Sequence, residues 1–390
     1  MLSADNFSSN ILFIEEDALN ILGFIDVNRT MTKDEISKYI DDIVRKNTIL
    51  RQYIIQQNGQ LYLENDVQFD IKKQYSITDE SIISQDLLNS EFQTKSRWFI
   101  SFLHIENKTR IYIKVDHALV DGHQLIKVLT SPFIDEQTNF GRTATGIFTK
   151  VYYWIIGTIL LLLTMIKFIM KIVFHRKVSS PSTKKKTTFI KLDSFSLDAI
   201  KKVTFQQKIT INDFMYAVML KSYASYTKKT SIYTMSPINT SSENTNNVCP
   251  LLLNVTYSDD NVTLLKNVHE TFNCCKYSLF VPLLSFILQM MSDYMNPTLI
   301  SFLYGLSSNS IDVVYSNVIG PDTTLYKNTF IENIDNISFV MSAKPNQLCY
   351  NMISCRNKLN LMVSFEEGFV TDESFLKRCI NDAYTSLLAS

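Results

Sequence analysis

From Val151 to Ile166 the chain runs VYYWIIGTILLLLTMI without a charge, and apolar residues continue to Phe174 with Lys167 and Lys171 among them. The uncharged stretch falls short of the ~20 residues that a spanning helix needs, whereas the whole segment is long enough but carries two lysines. Tyr152, Tyr153 and Trp154 stand where an interfacial aromatic belt would, and His175-Arg176-Lys177 would lie against anionic headgroups. The segment is therefore expected to contact a membrane, with spanning and lying in one leaflet both open. A polar, basic stretch comes next, Val178-Ser179-Ser180-Pro181-Ser182-Thr183-Lys184-Lys185-Lys186, and reads as a linker. The expected organisation is an N-terminal domain over 1–148, a hydrophobic membrane-associated helix over 149–177, a basic linker over 178–188 and a C-terminal domain over 189–390.

The 390 residues suffice for two ordinary domains, and 46% apolar with 19% charged residues excludes disorder as the general state. Lys+Arg and Asp+Glu are equal at 38, which removes the basic field of a dedicated nucleic-acid binder. The six cysteines form no C-x-x-C pair and no His cluster accompanies them, which argues against zinc. They are expected to be free thiols packed in the core, in a reducing compartment. Residues 1–6 lack the charged and apolar regions of a cleavable secretory signal.

Both parts mix helix and strand. Ile36, Tyr39, Ile40 and Ile43 recur at three and four residues, which predicts a helix over 34–46 with one apolar face. Residues 97–104 and 109–115 read as a hairpin, and 123–129 as a helix. In the rear part, 196–203, 212–222 and 371–389 read as helices, 312–315 and 337–341 as strands, and 347–355 with 358–365 as a second hairpin. The interleaving predicts an α/β or α+β fold. Residues 279–291 (LFVPLLSFILQMM) are too short to serve as a return span; they read as a core helix, with a membrane-facing or acyl-tunnel-lining helix as the alternative.

Three short segments carry chemistry. In Asp116-His117-Ala118-Leu119-Val120-Asp121-Gly122, a strand end would present His117 to a cleft, where an imidazole can take a proton from a hydroxyl attacking a carbonyl. Asp121 is expected to pair with a basic side chain and hold the loop in shape. In Ser316-Asn317-Val318-Ile319-Gly320-Pro321, Ser316 and Asn317 offer side-chain donors for an oxyanion, and Gly320-Pro321 forces the turn. Asn212-Asp213 opens a helix, which an ordinary N-terminal cap also explains. Each pattern alone is short enough to arise by chance.

Together and in this order, the three resemble the wax ester synthase / acyl-CoA:diacylglycerol acyltransferase (WS/DGAT) family, within the CoA-dependent acyltransferase superfamily. That family's HHxxxDG motif is similar to Asp116 through Gly122, its Asn-Asp helix start to Asn212-Asp213, and its Ser-Asn-Val-x-Gly-Pro segment to Ser316 through Pro321. Weaker echoes are Leu50-Arg51-Gln52-Tyr53, Trp98, Pro237 and Glu366 to Asp372. The resemblance implies two chloramphenicol-acetyltransferase-like α/β domains with the active site at their interface. It implies His117 as general base toward an acyl-CoA thioester, a structural Asp121, and a Gly122 that allows close packing beside the CoA path. Ser316, Asn317 and Gly320 would line the site from the second domain, supported by Asn212 and Asp213. The family's first His is Asp116 here, whose carboxylate would either raise the His117 pKa or point to the far face of the strand.

The resemblance thus implies an O-acyltransferase that esterifies a long-chain alcohol or diacylglycerol, giving wax ester or triacylglycerol, with acyl-CoA as co-substrate and no metal or organic cofactor. Membrane lipid is the other expected partner, and nucleic acid is not one. The expected location is the cytosolic surface of the endoplasmic reticulum or a lipid droplet. A sterol, short alcohol or amine acceptor on the same fold, and a catalytically inactive membrane-associated relative, are the alternatives. If His117 and Asn317 build one site, a single crossing at 151–174 would separate them, so a monotopic or re-entrant helix is expected, with Lys167 and Lys171 snorkelling to headgroups.

Overall fold

The computed structural model describes residues 2–3, 19–57, 60–79, 84–131, 152–174, 186–239, 248–295, 299, 309–320, 334–344 and 346–390. Most of the basic linker and Pro321 lie outside them. In the front half the strands are β1 (Leu2–Ser3), β2 (Asn20–Val27), β3 (Gln52–Gln57), β4 (Gln60–Asn65), β5 (Tyr75–Thr78), β6 (Trp98–Ile105) and β7 (Lys108–Asp116). Its helices are α1 (Lys33–Lys46), α2 (Ser84–Asn89) and α3 (Gly122–Thr130). Next comes α4 (Thr158–Phe174), entered through a π-helical turn at Tyr153–Gly157. The rear half holds β8 (Thr187–Lys191), β9 (Phe195–Ser196), β10 (Thr234–Asn239), β11 (Val248–Leu253), β12 (Val313–Val318), β13 (Ile334–Met341), β14 (Leu348–Cys355) and β15 (Lys358–Glu366). Its helices are α5 (Leu197–Gln207), α6 (Ile211–Thr227), α7 (Asn261–Tyr277), α8 (Phe280–Tyr294) and α9 (Glu373–Leu388).

The front sheet runs β13-β2-β7-β6-β5. Period-two alternation along β7 sends Ile111, Ile113 and Val115 into a core with Ile36, Ile40 and Ile43 of α1 and Leu125 and Val128 of α3. Tyr112 faces the other way, into a cluster with Leu22, Phe24, Val340 and Met362. That second face is met by residues of the rear half.

One strand crosses between halves. β13 belongs by sequence to the rear, yet it pairs antiparallel with β2, Ile337 opposite Ile25 and Met341 opposite Ile21. Its carbonyls also reach back: Met341 O accepts from Ser364 Oγ at 2.6 Å and Ile337 O from Asn360 Nδ2 at 2.7 Å. The expected division at 189 assigns β13 to the rear domain, whereas its ladder lies in the front sheet. Through it the two halves share one hydrogen-bonded layer.

The rear sheet runs β11-β10-β12-β14-β15-β8, with β9 beside β15. β12 is parallel to both β10 and β14, the arrangement that needs crossovers, and buries both faces. Val313 and Tyr315 point into the rear core with α6, a helix buried from Asp213 through Leu220. Val314 points the other way, to Phe168 of α4, Cys349 and Met341. The fold is mixed α/β, as the interleaved pattern predicts.

All six cysteines are free and buried, and burial pushes their thiols up, Cys355 to about 11 and Cys249 and Cys349 to about 12. The native state thus holds protons that an unfolded thiol releases near pH 8.5. Stability is full below that pH and declines as pH climbs toward 11–12. A disulfide reagent at pH 8 is expected to titrate no thiol rapidly in the native protein and all six after denaturation.

Candidate active site

β7 ends at Asp116, which its register sets opposite Asn20, and a turn over 117–119 carries the chain toward α3. The His117 backbone N–H donates to Leu19 O at 2.8 Å, which fixes the turn against the start of β2. The His117 ring is half-buried; its Nδ1 is buried and has no hydrogen-bond partner among the described residues. The backbone bond to Leu19 fixes where the ring sits.

Asp116 is buried, and its carboxylate is spoken for. Oδ1 accepts from the Ala118 N–H at 2.9 Å, and Oδ2 lies 2.8 Å from Arg97 Nε. Burial raises its pKa, with Arg97 and the Ala118 N–H opposing. Asp121 makes no ion pair among the described residues. It is instead the N-cap of α3, with Oδ1 accepting from the Gln124 N–H at 2.7 Å. The cation-pairing role expected of Asp121 falls to Asp116 because Arg97 stands just before the start of the neighbouring strand β6, its carbonyl accepting from the Asp116 N–H. Two residues before Asp116, Lys114 is buried, donates to the Ser90 carbonyl and hydroxyl, and sits 4.5 Å from the centre of the Phe92 ring. Burial and the nearby Arg97 lower its ammonium to about 8. Neither Arg97 nor Lys114 stands out in the sequence.

In the rear half, Thr210 caps α6, and Asp213 is the reciprocal partner three residues on, accepting from the Thr210 N–H at 2.9 Å. The same Asp213 oxygen lies 2.7 Å from His269 Nδ1, and His269 Nε2 lies 2.9 Å from Asn273 Nδ2. The His269 ring thus bridges the Asp213 carboxylate and the Asn273 amide. His269 is the neighbour of Asp213 that motif reading misses, because it stands alone in sequence on α7. Asn212 Oδ1 accepts from Asn317 Nδ2 at 2.9 Å and from the Tyr315 hydroxyl at 3.2 Å. The helix start and the Ser-Asn-Val strand are thus one hydrogen-bonded unit.

Ser316 and Asn317 do not act as a pair. Adjacent strand residues face opposite sides: Asn317 shares the side of Tyr315 and turns to Asn212, whereas Ser316 shares the side of Val314 and Val318. Val318 packs in the front core beside Leu119 and Val120, so the Ser316 side is the one that faces the front half. Gly320 gives its N–H to Ser354 Oγ at 3.1 Å. No hydrogen bond among the described residues joins His117 to Ser316 or Asn317. The two halves meet instead at Gly122, where an added Cβ would lie 3.4 Å from Val318 Cγ2.

That distance is ordinary contact, so the protein itself has room for a methyl group at Gly122. Gly122→Ala, at the first position of a helix, is expected to fold with a melting temperature equal to or above that of the parent. A clearly lower melting temperature would mean that Val318 lies closer to Gly122 than this contact allows.

Among the described residues no group of three or more His, Cys, Asp or Glu is placed to hold a metal ion. The weaker echoes have structural work: Trp98 Nε1 donates to the Leu50 carbonyl at 2.7 Å, both buried.

Residues 244–388 match the WS/DGAT C-terminal domain family. No curated protein matches the chain by sequence. Among solved structures, the wax ester synthase/diacylglycerol acyltransferase of Marinobacter aquaeolei VT8 is 15% identical with a TM-score of 0.61, covering 98% of each chain. A trichothecene 15-O-acetyltransferase of Fusarium sporotrichioides is 10% identical with a TM-score of 0.67, covering 100% of this chain and 94% of its own. Polyketide synthase associated protein 5 of Mycobacterium tuberculosis is 12% identical with a TM-score of 0.60, covering 99% and 98%. At such identities the likeness shows the shared fold alone. Residues 244–388 thus match the WS/DGAT C-terminal domain family, in a chain whose fold is shared end to end with a wax ester synthase/diacylglycerol acyltransferase.

Proposed function

We propose that the protein transfers a fatty acyl group from acyl-CoA to the hydroxyl of a long-chain alcohol or diacylglycerol, at the cytosolic surface of a membrane of the endoplasmic reticulum or a lipid droplet. The observation that carries the reading is the WS/DGAT rear domain abutting, at Gly122 and Val318, the turn that holds His117. In the proposed step a His117 ring nitrogen takes the alcohol proton as the oxygen attacks the thioester carbonyl. The C–S bond breaks, the new C–O bond remains, and the imidazolium returns its proton to the CoA thiolate.

Ser316, on the same side of β12 as Val318, is the proposed donor to the oxyanion. Asn317, held by Asn212, keeps the strand end in register with α6. Asp116 and Asp121 act through the turn: one anchors it to Arg97, the other starts α3. The aspartate in place of the family's first His is the one observation favouring a non-catalytic relative. Purified protein given acyl-CoA with hexadecanol, dioleoylglycerol, a sterol, a short alcohol or an amine decides the matter by ester or amide product. Product with hexadecanol or dioleoylglycerol supports the reading, product only with another acceptor corrects the substrate, and none with any overturns it.

A further inference from the structure

Helix α4 is predominantly apolar, but only one side of it is packed. Leu161, Met165, Phe168 and Ile172, spaced by four, three and four, form a seam against the rear domain. Near one end Lys171 Nζ donates to Ser310 O at 2.8 Å, lies 3.4 Å from the Asp312 carboxylate and sits 4.2 Å from the Tyr233 ring centre. At the other, Gly157 is so close to α7 that an added Cβ would lie 3.0 Å from Cys274 Cα, and Thr158 Oγ1 accepts from the Leu279 N–H at 3.0 Å. The helix is thus fastened along its whole length. Lys171, expected to snorkel to headgroups, is instead a fastening, because Asp312 at the foot of β12 offers it a nearer anion.

The rest of the α4 surface is open: Ile159, Leu160, Leu163, Ile166 and Met170 are exposed, Ile166 by 54%. Beside it α8 repeats the arrangement. Leu284 and Leu288 face the rear core, while Leu283, Phe286, Ile287 and Met290 face outward, Phe286 62% exposed. The two helices are in contact, so the outward stripes form one apolar face of a kind that soluble monomers rarely leave open.

We propose that α4 and α8 form one platform that lies in the plane of a single leaflet of an anionic phospholipid membrane, and that α4 does not cross the bilayer. The stretch Trp154–Ile172 is long and apolar enough to span. Spanning, however, would carry the Lys171–Asp312 pair and the packed edge of the rear sheet into hydrocarbon, where lipid satisfies no polar group. The sign of the charge selects the leaflet: from Val151 to Leu192 the chain has eight Lys and Arg and no Asp or Glu, and Lys167 is exposed on α4 itself. The platform deepens the membrane part of the proposed function and does not depend on acyl transfer.

Flotation of the full-length protein with phosphatidylcholine vesicles, with and without phosphatidylserine, tests it without reading activity. The protein is expected to float with the anionic vesicles and much less with the neutral ones. Ile166→Asp and Phe286→Asp, both at exposed positions, are each expected to lower the bound fraction on the order of tenfold with unchanged melting. Tags at both termini are expected to be cleaved by protease outside sealed vesicles. Equal binding to neutral vesicles, or full binding by either variant, overturns the proposal. So does protection of one tag, which means spanning, or a dimer that the variants dissociate without touching flotation, which means a second copy covers this face.

Discussion

His117→Ala is expected to lower kcat for acyl-CoA-dependent ester formation by roughly 10²–10⁴-fold, the range over which a positioned proton acceptor contributes. KM for acyl-CoA should change little, because the imidazole is proposed to act on the hydroxyl proton and not to hold the thioester. The fold should survive. What ties residue 117 into the structure is its backbone N–H on Leu19 O, which alanine retains, and the ring nitrogen Nδ1 has no partner among the described residues to lose. Melting temperature therefore separates a chemical loss from a structural one: a variant with parent-like melting and parent-like turnover would remove His117 from the reaction. Ser316→Ala is the companion measurement. As a proposed oxyanion donor it should cost up to about 10²–10³-fold in kcat.

The features legible in the sequence are local. The spacing of Ile36, Tyr39, Ile40 and Ile43 implies a buried face, and all four are buried. The two hairpins and the strand before Ser316 come from alternation within a few residues. The features that stay illegible depend on partners far away in sequence. β13 is recognisable as a strand, but its place in the front sheet is set by pairing with β2, across about three hundred residues. Arg97 chooses Asp116 over Asp121 through the β6–β7 register, which fixes who is adjacent to whom. His269 meets Asp213 only because α7 packs on α6. Likewise Ser316 and Asn317, adjacent in the motif, look alike as donors until the strand's pleat sends one to each side.

Gly320→Ala is expected to be the most destructive single methyl group in the chain's motifs. A Cβ built on Gly320 would fall 1.6 Å from the Ser354 carbonyl oxygen and 2.8 Å from its carbon, both backbone atoms of β14 that no rotamer change can move. Relief requires β12 and β14 to part at the end of their parallel ladder, where Val318 pairs with Ile353. The same shift would strain the Gly320 N–H bond to Ser354 Oγ and the Val318 contact with the front core. Overpacking of this kind costs roughly 3 kcal/mol or more, which for a domain the size of the rear half lowers melting by about 6–12 °C. Gly368→Ala is the control. Gly368 has φ +85° and nothing within 4 Å of the added carbon, so alanine there meets only the left-handed backbone penalty, about 1 kcal/mol. Scanning calorimetry should rank Gly320→Ala well below Gly368→Ala. The reverse order would mean that the end of β12 does not lie against β14, and with it would go the placement of Ser316 toward the front half.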